Sequence, residues 1–411
     1  MADISGKPPK RPWIPLAALL GVDLLCAIGV AKKIPFQAPN LEYLCDARVF
    51  TEYHRIASDF LPIGYGVLLG IGNVLGHQTG MTAVTILLSL CLVALIWWYL
   101  QSMGVSTRAS LVIAGLFSIY PDFLLNYNKG MDTVPTALIL FAFVPLLVAA
   151  VGRRSFSKVD LLLALTVGYA LLVRPNMVLF LPITWLVFWR FRTERWVSRS
   201  AIQAAIAVSV YLLVTTAVHG RPFFPQNGPY NFYSGANQYT EKYVVNEEDS
   251  LLYALRDHGI EAAAPTGACP SEIDEPGLPG LRSPRLKPLY SKFAVEFIEQ
   301  HPGTMVRLVW VKFKNMMYPD LRLYRLKSVG GMLKVLAALA FPLWLIAFLF
   351  LPHPGGPAAK LVLGATVAVY LMPFVLIISS PRFRTPLDYL FWIDLGGILA
   401  LWWTTRRSTM E

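Results

Sequence analysis

The sequence predicts an all-α polytopic membrane protein with about ten transmembrane helices and a large, mixed extracytoplasmic loop. Of its 411 residues, 55% are hydrophobic and 15% are charged, and the mean hydropathy is +0.52. Ordinary soluble domains carry roughly 25% charged residues. The composition therefore excludes disordered, fibrous and typical cytosolic proteins, and apolar runs near the length of a membrane span recur along the chain.

The first predicted span runs from Trp13 to Val30. It follows several cations and has no small-residue cleavage site after it, which is typical of a retained span rather than a cleaved signal peptide. The other predicted spans are 80–100, 108–124, 132–151, 159–173, 176–189, 199–218, 332–351, 358–378 and 386–404. An even number of spans would leave both termini on one side of the membrane.

The Lys and Arg residues orient these spans, because cytoplasmic loops collect basic residues. One set of connections is clearly basic and is therefore predicted to be cytoplasmic. Its cations are Lys7, Lys10, Arg11, Arg108, Arg153, Arg154, Lys158, Arg190, Arg192, Arg195, Arg199, Lys360, Arg406 and Arg407. This bias accounts for the net charge of +11 without a nucleic-acid partner.

The segment 159–190 leaves two alternatives open. It is either one long helix kinked at Arg174-Pro175 or two short helices that meet there. The loops before and after this segment are both basic, so both are expected on the cytoplasmic side. This arrangement favours two short helices that form a hairpin.

Two long connections are predicted outside the cytoplasm, residues 32–79 with helical pieces and residues 219–331. The chain is accordingly divided into 1–218, 219–331 and 332–411. The second connection ends in two amphipathic helices, near 289–300 and 303–317. In the later helix, the apolar face that contains Leu308 and Met316 is expected to lie on lipid.

Charged residues on the predicted outer side are functional candidates, because the membrane or the charge rule disfavours them there. The cations of this group are Arg48, Arg55, Lys129, Arg174, Arg382 and Arg384. Such a cluster suits an anionic ligand, most simply a lipid-linked phosphate. The alternative is that some of them form structural ion pairs with Asp122, Asp132 or Asp388.

Asp23 and Asp394 lie within predicted spans, where they form either a polar path or, as we favour, hydrogen bonds between helices. The sequence identifies no metal ligands, because the histidines are scattered and the four cysteines have no CxxC spacing. A divalent metal is left open.

Cys45 and Cys269 both fall in loops assigned to the oxidising side, whereas Cys26 and Cys91 fall within spans. This placement predicts a disulfide between Cys45 and Cys269. The alternative is two free thiols, because sequence does not give their distance.

Short motifs follow this topology in a characteristic order. They are Asp46-Ala-Arg-Val-Phe50, Ala57, Pro62-x-Gly-Tyr65, Tyr120-Pro-Asp-Phe-Leu124 followed by Asp132, Leu172-Val-Arg-Pro175, Tyr290-x-x-x-Ala294-x-x-Phe297, His301-Pro302 followed by Lys312, and Pro381-Arg-Phe-Arg-Thr-Pro386. In this order the chain resembles the C-type membrane glycosyltransferases (the GT-C fold). The resemblance is to bacterial relatives of the family 39-like protein O-mannosyltransferases and lipid A aminoarabinose transferases.

The resemblance implies an inverting glycosyltransferase of the bacterial inner membrane. The enzyme would move a sugar from a polyprenyl-phosphate donor to a hydroxyl of a lipid, glycan or protein acceptor outside the cytoplasm. It implies that Asp46 is the catalytic base, with Glu52 and Asp59 as rivals in the same loop. The residues expected at the donor phosphate are Arg55, Lys129, Arg174, Arg382 and Arg384.

Six residues are expected to contact the sugar or the acceptor, namely Tyr65, Asp132, Tyr230, Asn231, Tyr233 and Asn237. For the last four of these, packing within the loop is the alternative. The chain departs from the family in two places. Ala47 stands where the mannosyltransferases carry a second acidic residue, and the Trp-Trp-Asp motif of oligosaccharyltransferases is absent. The competing functional hypothesis is a transporter or flippase of an anionic lipid-linked glycan.

Overall fold

A computed structural model describes residues 13–33, 41–53, 62–120, 123–124, 132–225, 227–243, 247–262, 279–283, 285–317, 329–377 and 383–410. The described helices are α1 Trp13–Lys33, α2 Leu41–Tyr53, α3 Ile63–Ser102, α4 Thr107–Ser118, α5 Thr133–Val151, α6 Lys158–Val173, α7 Phe180–Arg190, α8 Trp196–His219, α9 Asn227–Gly235, α10 Glu247–Asp257, α11 Lys287–Gln300, α12 Pro302–Met317, α13 Val329–Phe350, α14 Gly356–Leu376 and α15 Thr385–Met410. The predicted all-α membrane fold is confirmed.

Five of the described helices are long and apolar enough to cross a membrane, namely α1, α3, α5, α8 and α14. Shorter apolar helices occur at Thr107–Ser118 and Leu339–Phe350. The chain is thus a multi-pass membrane protein. A total of ten spans stays a prediction.

Helix α3 is not one straight rod. His77 has a φ of 49° and a ψ of −131°, which interrupts the helix. A Cβ added to Gly80 would overlap the carbonyl oxygen of Gly72. Residues eight apart in a continuous helix are separated by about 12 Å, so this contact requires the chain to turn back at residues 76–77. The predicted span 80–100 is the second half of α3, and the first half belongs to the predicted outer segment 32–79.

Helix α2 packs on α3 through residues that recur at helical spacing. The Phe50 ring lies against Gly70, where an added Cβ would be 2.6 Å from the ring. The Asn73 side-chain amide donates a hydrogen bond of 2.6 Å to the Thr51 hydroxyl. Tyr43 and Ala47 are buried on the same side of α2. These contacts hold α2, which carries residue 46, against the helix bundle.

Residues 158–190 form the predicted hairpin of two short helices. Helix α6 ends at Val173, a 3-10 turn spans Pro175–Leu179, and α7 follows. The Arg199 guanidinium contacts both Asp160, at the start of α6, and Phe188, at the end of α7. Because the start of α6 and the end of α7 contact the same side chain, the two helices are antiparallel, as the charge rule predicted.

A buried ion pair closes this end of the hairpin. Arg199 Nη2 lies 2.6 Å from the Asp160 carboxylate, and Arg199 also donates to the carbonyls of Arg153 and Ala150. Gln203 donates to the same carboxylate at 2.8 Å. Both charged side chains are almost fully buried, at 2% and 0% exposure. The first turn of α6 is therefore fixed to α8 by charge-assisted hydrogen bonds.

Asp394 joins three parts of the bundle by hydrogen bonds. Its carboxylate accepts from the Tyr99 hydroxyl and the Trp344 indole N–H, each at 2.9 Å. It also contacts His353 Nε2 at 2.9 Å, and because the Gly355 N–H donates to Nδ1, Nε2 carries the proton. The favoured interpretation of Asp394, a hydrogen bond between helices, is confirmed.

Helices α9 to α12 build a second, smaller core. Its buried residues include Tyr230, Tyr233, Leu251, Tyr290 and Leu308. All members of this cluster fall within the predicted segment 219–331, although the exact domain boundaries stay a prediction.

We predict that Arg199→Met destabilises the fold strongly, because it leaves Asp160 as a buried, uncompensated carboxylate. Losing one partner of a buried ion pair typically costs about 3–5 kcal/mol. The matched control is Arg154→Met, because the Arg154–Glu194 pair is 3.9 Å long and highly exposed. That control should cost less than about 1 kcal/mol. Unfolding in detergent measures both variants, and equal losses would contradict the role of the Arg199–Asp160 pair.

Candidate functional site

Four segments meet at the other end of α6, around the guanidinium of Arg174. Arg174 Nε donates to one Asp132 carboxylate oxygen at 2.7 Å, and Nη2 donates to the other at 3.0 Å. Arg174 Nη1 donates to the Tyr370 hydroxyl at 2.7 Å. The Tyr370 hydroxyl in turn donates to the Phe383 carbonyl at 2.9 Å. The start of α5, the end of α6, helix α14 and the segment before α15 are thereby joined.

Aromatic rings surround the Arg174 guanidinium. Its central carbon lies 5.8, 5.6 and 5.3 Å from the ring centres of Tyr370, Phe374 and Phe383. A cation at this distance is attracted by the faces of aromatic rings. Arg174 is 5% exposed. Three of its five N–H groups are used by described partners, which fixes the orientation of the guanidinium.

Helix α2 and the start of α3 reach the same place through tyrosines. Tyr65 is buried near Asp132, and its ring packs edge-to-face on Tyr43, with 5.3 Å between the centres. Tyr43 lies within electrostatic range of Arg174. Gly64 makes this approach feasible, because a Cβ there would lie 2.8 Å from the Leu172 backbone. Helix α2 therefore starts beside the Asp132–Arg174 pair, and residue 46 follows Tyr43 by about one helical turn.

Arg384 ties the start of α15 to the end of α12. Its Nε donates to Asp388 at 2.7 Å, and its Nη1 donates to the carbonyls of Met316 and Met317, each at 2.6 Å. These carbonyls belong to the last turn of α12, which carries the negative end of the helix dipole. The buried guanidinium satisfies acceptors that the helix itself leaves open.

Lys312 makes the equivalent contact at the end of α14. Its ammonium donates to the carbonyls of Leu376 and Ile377, at 3.2 and 3.0 Å. A Cβ on Gly235 would overlap the Ile377 carbonyl, so only glycine permits this approach by α9. Burial lowers the pKa of Lys312 from 10.5 to about 8. Helices α9, α12 and α14 thus converge on one buried cation.

The predicted phosphate-binding residues fall into two groups. Arg174 and Arg384 form the ion pairs with Asp132 and Asp388 that were the structural alternative. Arg55, Lys129 and Arg382 lie outside the described residues. A direct contact of any of these cations with a phosphate stays a prediction.

Asp46 lies in α2, but its side chain lies outside the described part of the chain, so its role as the base also stays a prediction. Of its rivals, Glu52 is exposed and Asp59 lies outside the described residues. Cys45 is disulfide-bonded, whereas Cys26 and Cys91 are free. The predicted partner of Cys45, Cys269, lies outside the described residues, so the pairing stays a prediction.

Of the residues expected at the sugar or the acceptor, Tyr230, Tyr233 and Asn237 are buried in the core of α9 to α12. The Asn237 side chain donates to the Tyr233 carbonyl at 2.7 Å and accepts from Ser250 at 3.0 Å. Asn231 is only half-buried. The contacts of the buried three are the loop packing that was the alternative.

Sequence reasoning noted Lys312 in a family-like motif but gave it no role in the site, and it missed Tyr370. The expected lipid face of α12 was wrong, because Leu308, Lys312 and Met316 are buried. Instead, Val306 and Trp310 are 73% and 63% exposed. A lysine among apolar residues at helical spacing was the available signal that this face is internal.

Among the described residues, no group of three His, Cys, Asp or Glu side chains is arranged to hold a metal ion. The described side chains around Arg174 are paired charges, hydroxyls and aromatic rings.

The chain is similar to two solved structures. The first is the archaeal oligosaccharyltransferase AglB from Archaeoglobus fulgidus, in complex with an inhibitory peptide and a dolichol-phosphate. The TM-score is 0.50, the sequence identity is 11%, and the match covers 96% of this chain and 51% of that chain. The second is ArnT from Cupriavidus metallidurans bound to undecaprenyl phosphate, with a TM-score of 0.43, 13% identity and coverage of 96% and 78%. This chain spans about half the length of AglB, at 51%.

No protein-family model matches the chain, and no curated protein matches it by sequence. The likeness to AglB shows that the two chains share a fold, which agrees with the expected all-α membrane architecture.

We predict that stability depends on the protonation of Lys312. In the unfolded chain the ammonium has its usual pKa of 10.5, and in the folded chain the pKa is about 8. Between these values the unfolded chain binds more protons, so the free energy of unfolding rises with pH through this window. The neutral amine still has two N–H groups for its two carbonyl acceptors.

Wild type should therefore gain stability relative to Lys312→Met as the pH is raised from about 7.5 to about 9.5. Thermal unfolding in detergent measures this difference. The control is Lys292→Met, since Lys292 is largely exposed. A constant difference between wild type and Lys312→Met across the window would refute the shift.

Proposed function

We propose that the protein is an inverting glycosyltransferase that moves a sugar from a polyprenyl-phosphate donor to an acceptor hydroxyl on the extracytoplasmic side of the membrane. A shared fold alone does not give a function. The observation that carries the proposal is the cluster around Arg174. It joins a fixed cation, the buried phenol Tyr65 and the helix that carries Asp46 at one end of the bundle.

In the proposed reaction the acceptor oxygen attacks the anomeric carbon of the sugar. The bond from that carbon to the phosphate oxygen breaks, and the leaving polyprenyl phosphate keeps the electron pair. Asp46 takes the acceptor proton as general base. Cations around the phosphate stabilise the charge that develops on it. Attack from the side opposite the leaving group inverts the configuration at the anomeric carbon.

The contacts of Arg174 and Arg384 support different roles for the two cations, one at the phosphate and one in the fold. Asp132 and Tyr370 hold Arg174 in one orientation, and two of its five N–H groups are not used by these partners. We assign those groups to a phosphate oxygen of the donor. Arg384 is engaged with Asp388 and two carbonyls, so we assign it to fixing the segment that carries Arg382. Lys129, Arg55 and Arg382 complete the proposed phosphate site.

The competing hypothesis of a transporter is less well supported. A transporter exposes its site alternately to both sides of the membrane, usually from near the bilayer midplane. Helix α6 has a buried ion pair at each end, Asp160–Arg199 at its start and Asp132–Arg174 after its last residue. Movement of α6 would break one of them at a cost of about 3–5 kcal/mol. The arrangement favours a fixed site at one end.

The test is transfer of label by the purified full chain in detergent. Radiolabelled polyprenyl-phosphate hexoses and pentoses are incubated with the protein and a membrane extract. A glycosyltransferase moves the label to a new acceptor and releases polyprenyl phosphate. In sealed vesicles, a flippase would instead move the intact labelled donor across the membrane, and that result would replace our proposal.

We predict that Asp46→Asn abolishes most of the turnover but leaves donor binding nearly normal. The amide keeps the shape of the carboxylate and cannot accept the proton. Loss of a general base typically slows a reaction by about 10²–10⁴-fold. The matched control is Glu52→Gln on the same helix, which should keep its turnover. A slow Glu52→Gln or Asp59→Asn beside a normal Asp46→Asn would move the base to that rival.

We predict that Arg174→Gln weakens donor binding and that Asp132→Asn does not. Both break the same ion pair, so both should lower the unfolding temperature. Arg174→Gln removes a phosphate ligand and should weaken binding of polyprenyl phosphate at least about tenfold, or by roughly 1.4 kcal/mol. Asp132→Asn leaves the Arg174 charge unopposed, so binding should be retained or tightened. Parallel losses of affinity in a titration would show that Arg174 acts only through the fold.

A further inference from the structure

Three tyrosines lie together on the surface of the α9–α10 region, and we call them the tyrosine patch. They are Tyr239, Tyr243 and Tyr253. The Tyr243 and Tyr253 rings stack with 5.2 Å between centres and 17° between planes. The ring centres of Tyr239 and Tyr253 are 5.6 Å apart. Tyr253 is 40% exposed, and the other two rings are partly exposed.

The buried face of α10 holds the tyrosine patch in place. Leu251, Ala254 and Leu255 lie on the opposite side of α10 and are fully buried in the smaller core. Because that face of α10 is packed, the position of Tyr253 is set by the helix rather than by a free loop. The patch is therefore a surface prepared before any ligand binds, which lowers the entropic cost of binding.

Polar groups border the patch. The Asp257 carboxylate accepts hydrogen bonds from the Tyr239 hydroxyl at 2.8 Å and from the Gln238 amide at 2.7 Å. Lys242 and Arg256 lie over the rings of Tyr243 and Tyr253, at 5.1 and 5.9 Å. Beyond Asp257, the exposed His258 stacks on Phe293 at 3.8 Å. Aromatic rings and hydrogen-bonding groups thus alternate along the surface.

We propose that the tyrosine patch, together with Asp257 and Gln238, binds the glycan chain of a carbohydrate acceptor. Because Tyr243 and Tyr253 stack on each other, a sugar contacts the exposed parts of this pair and of Tyr239, and tyrosine side chains bind at low entropic cost. The Asp257 carboxylate and the Gln238 amide match the sugar hydroxyls.

The chemistry of the patch favours a glycan over a lipid or a protein helix. Those partners need exposed aliphatic anchors, and helix-binding grooves use apolar side chains at helical spacing. Among the described residues of α9 to α11, the large hydrophobic side chains counted as exposed are Tyr253 and Val295. The patch instead offers phenols, a carboxylate, an amide and two cations.

The patch also lies close to the proposed transferase site. Gly235 contacts the Ile377 carbonyl beside Lys312, and Tyr239 follows Gly235 by four residues. Four extended residues span at most about 14 Å. A chain bound on the patch can therefore reach toward the end of α14. The inference rests on the proposed function in its assignment of the bound glycan as the acceptor.

The first experiment measures binding without transfer. Mannotriose, maltotriose, chitotriose and galactotriose are titrated into the purified full chain in detergent and followed by saturation-transfer NMR. At least one should bind wild type, and Tyr253→Ser and Asp257→Asn should weaken that binding at least tenfold. The matched control is Val295→Ser, an exposed residue of the same unit outside the patch. No binding of any trisaccharide at millimolar concentration, or equal binding by Tyr253→Ser, would overturn the proposal.

The second experiment separates the patch from the proposed transfer. In the labelled-donor assay, Tyr253→Ser should raise the apparent KM for the acceptor and leave binding of polyprenyl phosphate unchanged. If wild type transfers label and Tyr253→Ser does so with the same acceptor KM, the acceptor role is refuted and the transferase proposal stands. If trisaccharides bind at the patch but wild type transfers no label to any acceptor, the patch remains a glycan site and the transferase proposal fails.

Discussion

The structure depends on burying charge at both ends of one short helix. Helix α6 has 16 residues, which gives about 24 Å at 1.5 Å per residue against a hydrocarbon core of roughly 30 Å. At both ends a charged side chain is buried within the protein, with 0% side-chain exposure for Asp160 and 6% for Arg174, so neither water nor lipid satisfies it. Asp160 and Arg174 mark those two ends, and each is paired with a residue from another segment. Because an unpaired charge at this depth is costly, the pairs fix where α5, α6, α8 and α14 can lie.

The end of the bundle near Arg174 is held together by further buried cations. Lys312 and Arg384 are buried cations that bind the terminal carbonyls of α14 and α12. These contacts satisfy helix ends without water and hold the 219–331 segment against the spans. A transferase site needs its charged groups within small tolerances of the reacting atoms. Groups placed by helix ends and ion pairs, rather than by free loops, meet that requirement.

Several features of this fold follow from sequence and others do not. The hairpin at 158–190 was predictable, because the charge bias of the flanking loops excludes a single span. For α3 the predicted boundary between the outer segment 32–79 and the span 80–100 lies close to the reversal at residues 76–77. The packing of the two halves on each other, at Gly72 and Gly80, was not predictable. The pairing of Arg174 with Asp132 joins residues 42 positions apart. The predicted topology identified Arg174 as a costly outer charge and Asp132 as one of three possible partners, but only tertiary packing selects the pair.

The same limit explains why the sequence predicts sugar contacts in the segment 229–237 and not at the tyrosine patch. Tyr230 and Tyr233 lie in a dense run of aromatic and amide residues, which resembles a sugar site by composition. Helical spacing turns these rings inward, where they pack on Tyr290 with centres 6.0 and 5.9 Å apart. Tyr239, Tyr243 and Tyr253 are spread over two elements and meet only after α10 folds back. A ligand surface of this kind is a property of how two elements pack, so burial rather than local composition separates the residues that build the core from those that can touch a ligand.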